Sequence, residues 1–190
     1  MAKAQVRGKK TTNTFAYMHI GAKYMLGLAE NTQDGQLYTT AAALVFSAFT
    51  LEAYLNHLGK LRNKEWGEIE RKYSKFEKYK LFASAAGINF NSFHARPYST
   101  LKELFEFRDR MAHGKTTTED VNLSVNMVDY LIPQLNSESD WQAFATLEKA
   151  QIAIKDVEAL VKELHSACGY SGNPLSRLGG GVYGVTHEHT

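Results

Sequence analysis

Residues Thr39 to Arg62 carry a helical apolar pattern with two adjoining stripes, and this narrows the architectures open to the chain. Leu44, Ala48, Leu51, Leu55 and Leu58 make one stripe; Val45, Phe49, Glu52 and Asn56 make a second beside it. A helix apolar on two faces belongs at the centre of a bundle or against a second subunit. The second stripe ends in polar residues. Glu52 and Asn56 lie four apart, hence on one face, and an unpaired buried polar group costs about 1–3 kcal/mol. They need partners, which either a polar pair at the rim of the core or one half of a site would supply.

The rest of the chain also reads as helix. Phe15, Met18, Ala22, Met25 and Ala29 recur at three- and four-residue steps and predict a helix from Thr14 to about Glu30. Residues 60–80 hold eight Lys or Arg against four Glu, with Trp66, Ile69, Tyr73 and Phe76 among them, an exposed helix or helix pair with a basic surface. Helix continues from Tyr79 to Ala86, Gly87 ends it, and Asn89 to Pro97 reads as a loop. Val121, Leu123, Val125 and Met127 alternate as in a strand but have no evident partner, so an extended arm and a poorly patterned helix are equal readings. Val128, Leu131 and Ile132 return to helical spacing before Pro133. A last long helix is expected from about Asp140 to Cys168, with Gly169 closing it. The expected fold is all-α, a helical bundle of about five main helices with antiparallel neighbours. Residues 14–168 form the domain, 1–13 a basic disordered tail, with an arm that attracts nucleic acid as the alternative, and 169–190 a flexible tail holding six of the fourteen glycines.

Composition excludes several classes. With 44% hydrophobic and 22% charged residues, the chain is that of a globular protein with a real core. Its most apolar run, Ala41 to Phe49, is too short to span a bilayer, so no membrane partner is expected. Lys3, Arg7, Lys9 and Lys10 have no apolar segment behind them, unlike a secretory signal. The single cysteine, Cys168, cannot form an intramolecular disulfide or a Cys-rich zinc site, and a cytoplasmic setting fits. A net charge of +2 permits an anionic partner without requiring one.

The unusual stretch is Thr100 to Lys115, TLKELFEFRDRMAHGK. Thr100 reads as an N-cap and Glu103 as its capping-box partner. Leu101, Leu104, Phe105, Met111 and Ala112 give a core-facing stripe, and Gly114 suits a left-handed helix end. Arg108 falls on that stripe. A guanidinium does not lose its charge there, so it needs a partner or a wet cleft, and Glu52 is the candidate partner.

Arg108-Asp-Arg-Met-Ala-His113 resembles the R-x4-6-H signature of the HEPN superfamily, all-α domains that carry it near a helix end, often with a polar residue such as Asp109 after the arginine. The stretch FTLEAYLNHLG, Phe49 to Gly59, is similar to the helix that packs beside the signature in several HEPN groups. The resemblance spans roughly residues 15–165, with only these two stretches distinctive. It implies a homodimer whose two signatures meet across the interface. It also implies metal-independent endoribonuclease activity, as in toxins and antiviral effectors, with RNA as partner and an antitoxin or regulatory protein as a further one. Other members are non-catalytic. One toxin subgroup has a tyrosine two places after the histidine; here that position is Lys115.

Helix geometry bears on the dimer independently. At about 100° per residue, Arg108 and His113 point about 140° apart. One chain does not readily converge them on one phosphate; two signatures across an interface can. Imidazole can serve as base for a 2′-OH or acid for a leaving 5′-oxygen, and the helix C-terminus favours protonated His113. Arg108 can fork onto phosphate oxygens and stabilise developing charge. Asp109, four residues before His113, can orient its ring; Glu52 and Asn56 support the cleft, and Arg110 and Lys115 are candidate RNA contacts. No cofactor or metal is expected. On the residues alone the plainer alternatives hold: a solvated His113, and Arg108 locked to Glu52 in a non-catalytic module that binds a nucleotide, RNA or a protein partner.

The remaining signals are weak. His187-Glu-His189 lies in a glycine-rich tail, a poor metal site. His57, His94 and His165 have no paired carboxylate at a telling spacing, and Cys168 has no base near it in sequence. There is no P-loop, dinucleotide fingerprint or serine elbow.

Overall fold

The structure, a computed structural model, describes residues 4–90, 94–116, 118 and 139–187. In chain order it holds a strand β1 (Ala4–Thr12) and helices α1 (Thr14–Asn31), α2 (Gln36–Arg62), α3 (Trp66–Ile69), α4 (Lys75–Ala85) and α5 (Tyr98–His113). Then come α6 (Asp140–Phe144), α7 (Leu147–Ala167) and a second strand β2 (Gly179–His187). The molecule is mostly helical. The expected strand-like pattern at Val121–Met127 and the helical return before Pro133 lie outside the described residues, as do Glu188 and His189.

α2 is the central helix, packed on α1, α7 and α5. Its first stripe is buried throughout: Leu44, Ala48, Leu51, Leu55 and Leu58 meet Phe15 of α1, Leu104 and Phe105 of α5, and Leu160, Val161 and Leu164 of α7 in one core. Burying one leucine or phenylalanine side chain contributes about 1.5–3 kcal/mol, so this shared core holds the bundle together. Among the described residues no helix is long and apolar enough to cross a membrane.

A buried polar tie sets where α5 begins. Asp156 of α7 accepts from Arg96 (Nε 2.8 Å, Nη2 2.9 Å) and from the Thr100 hydroxyl (2.6 Å). Burial alone would raise this carboxyl, but the Arg96 and Thr100 hydrogen bonds outweigh it and hold it below the usual range. The helix thus starts at Tyr98, with Pro97 in the cap position and no side-chain cap. The expected Thr100–Glu103 capping box is absent because both side chains have stronger charged partners: Asp156 for Thr100, and Lys149 at 2.6 Å for Glu103.

Other expectations also need correction. Gly114 has φ −54° and ψ 132°, not a left-handed cap. Met111 is 41% exposed and Ala112 is exposed, so the core stripe of α5 runs through Leu101, Leu104, Phe105 and Phe107 and stops there. The last long helix is broken at Ala145–Thr146, where the Thr146 side chain accepts from the Lys149 N–H and caps α7. The terminal segments expected as disordered tails pair with each other instead. β1 and β2 form an antiparallel ribbon from Ala4↔His187 to Thr12↔Gly179. Its base is fixed by the Asn13 N–H on the Leu178 carbonyl (3.0 Å) and the Asn13 side chain on the Arg177 carbonyl (2.8 Å), with Leu175 sunk in the core beside it.

Candidate active site

Arg108 is the first residue of α5 beyond the buried stripe, and it meets the polar end of the second stripe of α2. Its Nη2 lies 3.6 Å from Glu52 Oε2, and its Nη1 donates to Asp109 Oδ1 at 2.9 Å. The side chains of Arg108 and Glu52 are 22% and 25% exposed. The guanidinium also sits over the Phe49 ring, 5.4 Å from its centroid, a cation–π placement. Asp109 accepts in addition from Lys75. Burial by itself would raise the Asp109 carboxyl; the hydrogen bonds from Lys75 and Arg108 prevail and lower it. Asn56, one turn after Glu52, accepts from Lys78 at 2.7 Å. Cations of α4 thus supply the partners that Asn56 and Asp109 need, a role the sequence pattern of α4 does not announce.

This network walls a cleft of about 240 Å³ between the start of α1 and α2, reached by Thr14, Met18, Phe49, Glu52, Asn56 and Arg108. Among the described residues, Arg108 Nε and Glu52 Oε2 are buried without a hydrogen bond. Such atoms are costly to leave unmatched, and for Glu52 Oε2 the compensating charge is the Arg108 guanidinium at 3.6 Å.

His113 is elsewhere. It ends α5 and lines a second cleft, about 420 Å³, with Arg110, Lys115, Ser139, Asp140 and Trp141. Arg110 faces Asp140 at 3.9 Å across its mouth. Among the described residues His113 has no hydrogen-bond or ion-pair partner. Asp109 turns to Lys75 and Arg108, so the expected orienting contact to His113 is not made. The structure brings Glu52, Asn56, Asp109 and Arg108 together, and places His113, Arg110 and Lys115 apart from them on a neighbouring wall.

A third grouping escaped the sequence reading. Tyr54 and His165, 111 residues apart, meet through the Tyr54 hydroxyl and His165 Nδ1 at 3.0 Å. His165 Nε2 lies 3.3 Å from the Ser171 carbonyl, which only accepts, so the arrangement satisfying both contacts has Nε2 donating and Nδ1 accepting from Tyr54. Burial raises the pKa of that phenol, with Cys168 and Tyr170 adding to the effect, so it stays a donor. His57 packs tilted against Phe15 (4.8 Å between centroids) and shares a cavity of about 430 Å³ with His165, Tyr170 and Arg177. Burial, then His165, lowers its pKa. The spacing of single histidines on two distant helices holds no signal for this meeting; only the fold creates it. His94 is exposed and Cys168 is half-buried, the one cysteine of the chain. Among the described residues no group of three or more His, Cys, Asp or Glu is placed to hold a metal ion.

Set against known protein families, curated proteins and solved structures, the chain matches none of them.

Proposed function

We propose that the chain is a dimeric, metal-independent endoribonuclease of the HEPN type, in which Arg108 of one copy and His113 of the other complete a cleft. The observation that carries this reading is the division of labour on α5. Arg108 and His113 each stand on a cleft wall, but on different clefts, so one chain holds two half-sites. A second copy related by a two-fold axis would set the His113 wall of one chain against the Arg108 wall of the other. The surface such a copy needs is available on α1, where Tyr17, Ile20, Tyr24 and Leu28 form an exposed apolar row at helical spacing, one wall away from Thr14 and Met18 of the Arg108 cleft.

In that assembly Arg108, held by Glu52 and Asp109, presents its remaining N–H groups to a scissile phosphate and offsets charge as the 2′-oxygen attacks. His113 passes a proton to the leaving 5′-oxygen or takes one from the 2′-OH. Glu52 and Asp109 keep the arginine in place, and Asn56, held by Lys78, lines the same cleft. Arg110 and Lys115 sit beside His113 as contacts for flanking phosphates, and an antitoxin or regulatory protein would act by covering this cleft.

A second reading, a non-catalytic helical module binding a nucleotide, RNA or protein partner, draws on a specific observation as well. Arg108 already has two carboxylates and an aromatic ring within its own chain, which is enough to explain it as a structural pair. Cleavage of a mixed RNA in EDTA by the wild type, His113→Ala and Arg108→Ala, each with a melting curve, tests both. Chelator-resistant cleavage lost in His113→Ala at unchanged stability supports the nuclease. No cleavage by a dimeric wild type, with Arg108→Ala strongly destabilised, supports the structural module.

A further inference from the structure

Among the described residues the ribbon of β1 and β2 buries no side chain: all nine residues of β1 and Gly179 to Thr186 of β2 are exposed, and neither strand packs extensively on another described element. Two-stranded ribbons are marginal in water unless something covers them, so this pair is a part of the surface that calls for an occupant. Its charge identifies one. Arg7, Lys9 and Lys10 all lie on β1, and neither strand contains an aspartate or glutamate. The whole chain has a net charge of only +2, so these three cations are a concentration of charge, not a share of an overall basic surface. Arg7 hydrogen-bonds the Gln5 amide at 3.0 Å, and among the described residues none of the three has a carboxylate partner.

The register places them usefully. Arg7 and Lys9 stand on one face, opposite Gly184 and Val182; Lys10 stands on the other, opposite Gly181. Since β1 is itself an edge strand, the three side chains leave one edge alternately above and below it, spread over about 10 Å at about 3.3 Å per residue. Tyr183 shares the face of Lys10. A Cβ at Gly8 would lie 2.6 Å from the Tyr183 ring and one at Gly181 2.5 Å from it, so the ring rests across both glycines, on its own strand and on β1. It is 54% exposed. Bare glycines beneath an exposed ring make a platform with one open aromatic face.

We infer that the ribbon is a single-strand nucleic-acid arm, with the phosphate backbone running along the β1 edge over Arg7, Lys9 and Lys10 and one base stacked on Tyr183. A polyanion meets every unpaired cation of the ribbon, and a base is the flat partner that the Tyr183 platform fits. This deepens the RNA reading above, naming how the strand is held away from the reacting bond, and it rests on that reading only for the choice of RNA over DNA.

The test measures binding, so it stands apart from cleavage. Anisotropy of a labelled single-stranded RNA of mixed sequence is followed with the full chain carrying His113→Ala, from about 50 to about 200 mM salt. The further variant Arg7→Gln/Lys9→Gln/Lys10→Gln should bind more weakly and flatten the log–log salt slope by about 2, at about 0.7 per cation removed. Tyr183→Ala should weaken binding about fivefold or more, with Tyr183→Phe restoring it, at an unchanged slope. Unfolding midpoints should not move, because the ribbon adds nothing to the core. An unchanged affinity and slope in the triple variant overturns the inference. So does a change confined to oligomeric state, which would assign the ribbon to a second copy. Binding without any cleavage by the chain with His113 intact leaves the arm standing and removes the nuclease.

Discussion

Arg108 is the residue on which both functional readings turn, and its contribution to stability can be separated from any contribution to chemistry. Removing it leaves the partly buried Glu52 carboxylate without its ion-pair partner, at a cost of about 1–3 kcal/mol. Arg108→Ala should therefore lower stability in urea by about that much, and Glu52→Gln by less. The double variant should lose less than the sum of the two, the difference being a coupling of about 0.5–3 kcal/mol. Strict additivity would mean that the 3.6 Å contact contributes nothing. His19 makes a different prediction. It is buried against Glu158 at 3.1 Å, and burial holds its pKa below the ordinary 6.5 although that carboxylate pulls the other way. His57 is lowered too. In the unfolded chain these imidazoles take up protons near pH 6.5, and in the folded chain only at lower pH. The unfolded state then binds more protons over the range between the two, so stability is full above about pH 6.5 and falls as the pH drops below it. Urea midpoints across that range should decline, and His19→Gln, which keeps a donor for Glu158, should flatten the decline.

Helix–helix contacts govern the next scale. α2 passes α3 at Gly59, where a Cβ would lie within 2.5 Å of the Trp66 indole and therefore force it aside. Gly59→Ala should cost about 1–3 kcal/mol from overpacking, more than the gain in helix propensity returns. Since the chain has only two tryptophans, a red-shifted emission spectrum would report the displaced Trp66 directly. These elements also show what a sequence can and cannot reveal. The two stripes of α2 mark it as central because leucines at helical spacing have no other use, and Glu52 facing Arg108 follows from two polar intrusions into apolar stripes. α5 starts at Tyr98 and not after a Thr100 cap: Thr100 and Glu103 satisfy a local rule, while Asp156 and Lys149, far along the chain, offer charged partners that the local rule does not see. The break at Ala145–Thr146 is similar: the apolar spacing runs straight across it, and only the cap geometry reveals it. The ribbon was illegible for a stronger reason. Gly179, Gly180, Gly181 and Gly184 carry no periodicity, and each strand's partner is at the opposite end of the sequence.

At the scale of the whole molecule, the question is whether one copy is enough. α5 gives no single face on which Arg108 and His113 converge, since the two residues line clefts of about 240 and 420 Å³ with no lining residue in common. In the dimer proposed above, two chains would bring both to one phosphate, and the row Tyr17, Ile20, Tyr24 and Leu28 is the surface of α1 that a second chain would cover. Tyr24, at 64% exposure, stands at the centre of that row and contributes little to the fold of its own chain. Ile20→Glu/Tyr24→Glu should therefore leave the melting midpoint of a dilute sample nearly unchanged, because surface substitutions away from caps and cores move stability by about 0.5 kcal/mol or less. The same pair of charges, mirrored by the two-fold axis, would face its own copy in a desolvated interface and break it. Light scattering should then report a monomer, and RNA cleavage should vanish with the dimer although Arg108 and His113 are intact. Mixing this variant's effect with the single-site ones separates assembly from chemistry. A combination of Arg108→Ala and His113→Ala chains forms mixed dimers in which one of the two composite clefts keeps both native side chains, so cleavage should return to roughly a quarter of the wild-type level: about half of randomly paired dimers are mixed, and each has one working cleft of two. Recovery on mixing requires the site to be shared between chains; its absence, with dimers present, would confine Arg108 and His113 to separate tasks within each chain.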